Sequence, residues 1–158
     1  MKKILTICFA VLICFSIEIS AQVSTSVLVQ ISKAEDELRY DKNLENLMKS
    51  PDEKIRQRAA LAAGRIGDEK AIPMLENLLD NDLTAIGATA AFAIGEIESV
   101  KGADAILKTL KNEKIAAEVR ARAVEAAGKI AAANAKDPKT IELGGAILDA
   151  LDAEIRNR

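Results

Sequence analysis

Histidine and tryptophan are absent from this chain of 158 residues, tyrosine occurs once and proline three times. Without imidazole, a histidine general base and a histidine metal site are both excluded. Cysteine is nearly as scarce: Cys8 and Cys14 are the whole complement, and both sit in the apolar run from Ile4 to Ile17. Residues 22–158 therefore offer no thiol for covalent catalysis and no pair for a disulfide. A glycine-rich phosphate loop is missing too. The only aromatic residues there are Tyr40 and Phe92, too few for a platform on which bases stack. Neither sign of charge dominates, since 22 basic and 24 acidic residues give a net charge of −2. Leaving out residues 1–21 removes Lys2, Lys3 and Glu18, so 20 basic and 23 acidic residues remain and the net charge is −3. A mildly acidic chain of mixed sign lacks the electrostatic footprint of a nucleic-acid binder.

The cysteine-bearing segment has its own logic. Lys2 and Lys3 precede the apolar run, Glu18 closes it, and Ile19-Ser20-Ala21 places a small residue before Gln22. Residues 1–21 read as a secretory signal peptide. The run is shorter than the roughly 20 residues needed to cross a bilayer, so cleavage rather than a stable membrane anchor is expected. Neither cysteine directly follows the cleavage region, as attachment of a lipid there would need. The expected location is exported, periplasmic or extracellular.

Beyond the leader, the chain repeats itself. Laying residues 82–113 over 51–82 at an offset of 31 pairs Ile55 with Ile86, Ala60 with Ala91, Gly64 with Gly95, Ile66 with Ile97 and Leu79 with Leu110. Residues 114–158 match through Ile55/Val119, Arg56/Arg120, Arg58/Arg122, Gly64/Gly128 and Ile66/Ile130. A fixed period of this size means stacked supersecondary units. Apolar residues at helical spacing make each unit a pair of short amphipathic helices.

In the clearest copy the first helix is expected over Pro51 to Arg65, burying Ile55, Ala59, Ala62, Ala63 and Ile66. The second is expected over Glu69 to Asp80, burying Ile72, Leu75, Leu78 and Leu79. Ser50-Pro51-Asp52-Glu53 reads as a capping box with Ser50 as the cap. Gly64 and Gly67 flank the end of that helix, and Asp68 caps the next. Ser99 and Asp137 take that place in the later copies. The third copy departs where Ala131 to Lys136 lengthen the link. A last helix, Pro138 to Ile155, then carries Ile141, Ile147, Leu148 and Leu151 as its core stripe, with Gly144 and Gly145 allowing a neighbour to approach. Residues 22–50 read as a divergent first pair: Ser32-Lys33-Ala34-Glu35 resembles a capping box, Asp41 caps a helix from Lys42 to Lys49, and Leu44, Leu47 and Met48 form its stripe. The expected fold is all-α, a right-handed α-solenoid of about four antiparallel helix pairs whose first and last pairs diverge.

The string A-A-L-A-A-G-R-I-G-D-E-K-A-I-P-M-L-E-N-L-L, from Ala59 to Leu79, resembles the HEAT-repeat family in its short form, first recognised in phycobilisome lyases. That resemblance implies a protein-binding solenoid whose second helices usually line the concave face. A narrower resemblance rests on A-E-D-E-L-R-Y-D, from Ala34 to Asp41, and A-A-G-K-I-A-A-A-N near the end. These are similar to N-terminal HEAT regions of exported bacterial proteins that continue into a cyclophilin-type peptidyl-prolyl isomerase domain. No segment matches a cyclophilin. The implied alternatives are the HEAT portion of an isomerase protein or a bilin-lyase-like enzyme, and the export signal argues against the lyase.

Individual residues fit a scaffold better than an active site. Arg56 and Arg58, which recur as Arg120 and Arg122, are expected to lie along their helices and pair with Asp68, Glu53 or carboxylates of adjoining units. Phe92 is expected to fill space between repeats. The carboxylate pairs Asp80/Asp82, Glu96/Glu98 and Asp149/Asp152 read as caps or solvated faces. Asp80-Asn81-Asp82 lacks a calcium loop's ligand spacing. No catalytic residue, metal site or cofactor is assigned. The expected role is a non-catalytic scaffold for a protein partner or an attached domain, recognised through the exposed second-helix positions Lys70, Glu76, Asn77, Lys101, Asp104 and Lys108.

Overall fold

The computed structural model describes residues 23–80 and 83–156, so residues 1–22, 81, 82, 157 and 158, and with them the expected signal peptide over 1–21, lie outside the described residues. Within them the chain is an all-α solenoid of four helix pairs: α1 Thr25–Asp36 with α2 Lys42–Leu47, α3 Glu53–Ile66 with α4 Ile72–Leu79, α5 Thr84–Ile97 with α6 Ala103–Lys111, and α7 Ala117–Ala133 with α8 Lys139–Arg156. The first helices form one layer in which α3 packs on α1, α5 on α3 and α7 on α5. Each of α2, α4 and α6 closes against the first helix of the following unit. The core runs along the stack, through Leu44, Met48, Leu75, Ile86, Ile94, Ile106 and Ile130, all almost fully buried.

Alanine and glycine set the spacing between the first helices. A Cβ added to Gly64 would lie 2.6 Å from the Cα of Ala93, and one added to Gly95 would lie 2.7 Å from the Cα of Ala126. The backbones meet at these points, where Ala59, Ala60 and Ala62 on α3 and their counterparts Ala90, Ala91 and Ala93 on α5 carry nothing larger than a methyl group. Gly64 is thus a helix-contact residue rather than part of the helix end, which Gly67 closes alone in the left-handed region at φ 75. Glu98 holds the equivalent place on α5 at φ 55, a conformation that is costly for a residue with a Cβ. The Asn134 side chain donates to the Glu98 carbonyl at 2.8 Å.

Several helix starts fall where the capping residues place them. Asp41 accepts from the amides of Asn43 and Leu44 at 2.9 and 3.1 Å. Asp68 accepts from Lys70 at 2.9 Å, Ser99 from Lys101 at 3.3 Å and Asp137 from Lys139 at 2.9 Å. In the two middle units this cap opens a single tight turn, Glu69–Ala71 and Val100–Gly102 being 3-10 helices ahead of α4 and α6. Two expected caps are displaced. Asp52, not Ser50, caps α3, accepting from Lys54 and Ile55 at 2.8 and 3.3 Å. Ser50 instead bonds the amide of Asp52 at 3.2 Å, and Pro51 stays outside the helix. Ser32 lies inside α1, which begins at Thr25, because the apolar residues Val27, Ile31 and Ala34 already share its inner face.

The closing unit departs furthest from expectation. The extra residues after Ile130 do not all lengthen the link; α7 continues through them to Ala133. Asn134 then fastens the link: its carbonyl accepts from Thr140 Oγ1 at 2.7 Å, and its side chain reaches Glu98 at the end of α5. These bonds fix how α8 enters the stack, and the helix turns Leu143 and Ala146 inward, with Ile147 and Ala150 beside them. Of the expected stripe, Ile147 is half-buried, while Ile141, Leu148 and Leu151 are exposed. Gly144 and Gly145 meet no neighbour: a Cβ on either would find nothing within 4 Å. Ile55 and Ile66, expected in the core of α3, are likewise only half-buried.

Candidate partner-binding surface

The second helices carry their apolar residues inward and their polar residues outward. On α4, Ile72, Leu75, Leu78 and Leu79 are buried while Asn77 is exposed and Glu76 half-buried; on α6, Ala103, Ile106, Leu107 and Leu110 are buried while Asp104 and Lys108 are exposed. Lys70 and Lys101 occupy equivalent exposed positions in the tight turns that lead into these helices. Glu76, Asp104 and Lys108 line one open groove of about 360 Å³ between α4 and α6, together with Asp80 and Asn112. Lys70, Asn77 and Lys101 lie outside it. Three of the six sequence-derived positions therefore meet in one depression; of the others Asn77 is exposed on α4, and Lys70 and Lys101 sit in the entry turns.

These charges are not isolated. Lys101 Nζ reaches Glu69 at 2.5 Å, and Ser99 Oγ donates to the other oxygen of the same carboxylate at 2.5 Å. Lys108 lies 3.6 Å from Asp80, and Lys139 on α8 bonds Asp104. On the first helices Arg58 grips Glu35 with two bonds of 2.8 and 2.5 Å, and Lys129 bonds Glu96. Each of these five pairs links neighbouring units, with the carboxylate on the upstream unit and the cation on the downstream one. The sequence carries this as acid–base pairs 23 to 35 residues apart, a signal that a search within single helices misses.

Ionisation follows from these contacts. Hydrogen bonding from Arg58, more than charge alone, holds the Glu35 carboxyl below its ordinary value. The bonds from Lys101 and Ser99 lower Glu69, and those to Glu96 and Glu125 raise Lys129. Burial pushes the Tyr40 hydroxyl up to about 12. For Glu35 the folded value lies below the unfolded one, so its contribution is present above the ordinary carboxylate range and fades as pH falls through the folded value.

The paired arginines divide by role. Arg58 meets a carboxylate of an adjoining unit, as expected, and Arg122 pairs with Glu125 on its own helix at 2.8 Å. Arg56 and Arg120 do neither: Arg56 donates to the carbonyls of Ser50 and Pro51 at 2.7 and 2.9 Å, and Arg120 to those of Asn112 and Glu113 at 3.1 Å each. Both fasten the loop that precedes their helix. Phe92 is half-buried beside a groove of about 390 Å³ along α3, α5 and α7. Lys129 stands 4.6 Å and Arg122 5.7 Å from its ring centroid, within cation–π range.

Acid–base catalysis needs two titratable groups in unlike environments at one cleft. Among the carboxylate pairs, Glu96 is engaged by Lys129, and Asp149 and Asp152 are exposed on α8. Asp80 faces Lys108, while its companions Asn81 and Asp82 lie outside the described residues. Among the described residues no three acidic groups converge as a metal site would require, and no helix is long and apolar enough to cross a membrane. What the surface provides is a preformed, ridged face of mixed charge. Residues 39–87 match the family model of HEAT repeats. No curated protein matches the chain.

Proposed function

From the HEAT repeats that this chain carries, we propose that it is an exported scaffold that binds a protein partner, or supports an attached domain, through the outward face of α4 and α6. The observation that carries this reading is the placement of Lys70, Glu76, Asn77, Lys101, Asp104 and Lys108 along consecutive second helices and their entry turns, with three of them around one groove. HEAT repeats are typically protein-interaction scaffolds. A wide preformed face suits recognition by several dispersed contacts, with little ordering to be done on binding. The chain itself catalyses nothing in this reading. Export rests on Lys2, Lys3, the apolar run and Ala21. Recovered protein whose intact mass begins at Gln22 supports that step, and protein still carrying Met1 opposes it.

Reversing the charge of Lys70, Lys101 and Lys108 together is the test of the binding face. All three side chains are highly exposed, and ion pairs so exposed contribute little to stability. Partner capture should therefore fall while the melting temperature stays close to that of the parent. Undiminished capture would move recognition off this face. Acceleration of prolyl isomerisation or bilin attachment by the purified chain, lost on replacing a single carboxylate, would replace the scaffold reading with an enzymatic one.

A further inference from the structure

On α4 and α6 the side facing away from the core carries polar residues, Glu76 and Asn77 on one and Asp104, Lys108 and Lys111 on the other. On α8 the corresponding side is apolar. Ile141 is 82% exposed, Leu148 64%, Leu151 49% and Ile155 71%. With Gly144 they fall at alternating steps of three and four along the helix, the a/d pattern of a coiled-coil seam. The helix already satisfies the solenoid with a different set, Leu143 and Ala146. The seam is thus a second apolar stripe that the packing of the described residues leaves uncovered. Gly144 adds to the argument, because an interior helical glycine weakens a helix relative to alanine and among the described residues nothing lies within 4 Å of a Cβ added there.

We propose that this seam docks α8 of a second copy of the chain, the two helices running antiparallel across a twofold axis. The register follows from filling a and d layers. Leu148 meets Leu151 of the second copy, and Ile155 enters the space left by Gly144 of the second copy, so the bulkiest end of one helix covers the emptiest part of the other. Charge selects the antiparallel sense. Glu142, Asp149, Asp152 and Arg156 flank one side of the seam; antiparallel pairing brings Arg156 towards Glu142 of the second copy twice over and sets Asp152 across from glycine, with Asp149 against Asp149 of the second copy at the axis as the one like-charge contact. Parallel pairing would set each carboxylate beside its own copy. A head-to-tail contact onto α1 is disfavoured because the exposed apolar residues there reduce to Leu28 and Val29, among Ser32, Lys33 and Asp36. A twofold contact also closes on itself, so it yields a dimer rather than a filament.

Sedimentation equilibrium on the full chain tests this. The expected mass is twice that of one chain, falling to one chain for Leu148→Asp with an unchanged helical circular dichroism spectrum, while Val29→Asp stays dimeric. In a Cys8→Ser, Cys14→Ser background, mixing Gly144→Cys chains with Ile155→Cys chains should give a disulfide between unlike chains. A single-chain mass for the parent, growth beyond two copies, dissociation by Val29→Asp, association that survives Leu148→Asp, or crosslinking only between like chains would each overturn the proposal. Covering of the seam by a helix of a different protein appears as the first of these outcomes.

Discussion

Leu75→Ala should destabilise the solenoid by about 2 to 5 kcal/mol, read from chemical denaturation. Leu75 is fully buried, at the centre of α4. That helix closes against α5 of the next unit. Truncation removes buried carbons and leaves a cavity, and the short α4, anchored by its tight entry turn, has little freedom to collapse into it. In a nearest-neighbour stack the damage also spreads, since loosening one junction weakens units on both sides. Ile141→Ala provides the contrast. The sequence pattern puts both residues in the core, yet Ile141 is exposed on α8 within one chain, and in the single-copy Leu148→Asp background its truncation should change stability by less than about 0.5 kcal/mol. Equal effects at the two positions would mean that α8 packs by the other stripe.

The second large effect sets one repeat position against itself. Gly95→Ala should destabilise by about 1 to 3 kcal/mol or more, because the new Cβ would lie 2.7 Å from the Cα of Ala126, and only a shift of the α5 and α7 backbones relieves it. Gly128, its counterpart one unit on, has nothing within 4 Å of the same added atom. There the substitution only removes the intrinsic helix penalty of glycine, so Gly128→Ala should stabilise by up to about 1 kcal/mol. The same chemical change in the same motif thus takes opposite signs according to whether a further helix lies on that face. Matching signs would show that the glycine column is read incorrectly.

How far these features can be read from the sequence depends on whether one residue or an arrangement decides them. Asp41, Asp68, Ser99 and Asp137 act through amides two or three residues away, so their capping roles are visible locally. The periodicity of α4 is equally local: Ile72, Leu75, Leu78 and Leu79 leave that helix a single inner face. Helix α8 offers two stripes, and the selection is made by Asn134 and Thr140 fastening the link to α5, a tertiary contact with no local signature. The choice of Asp52 over Ser50 is of the same kind. Both are good caps beside Pro51, and Arg56 decides between them by holding the Ser50 and Pro51 carbonyls outside the helix. The candidate surface divides similarly. Exposure of Lys70, Asn77, Lys101, Asp104 and Lys108 follows from helical period, whereas the ion pairs of Lys101, Asp104 and Lys108 belong to the stacking of one unit on the next.

The claim that α4 and α6 present the binding face is tested most directly by amide hydrogen exchange of the chain alone and with its captured partner. Slowed exchange concentrated in residues 69–80 and 100–111 is the predicted result. Slowing confined to α3, α5 and α7, beside the Phe92 groove, would contradict it.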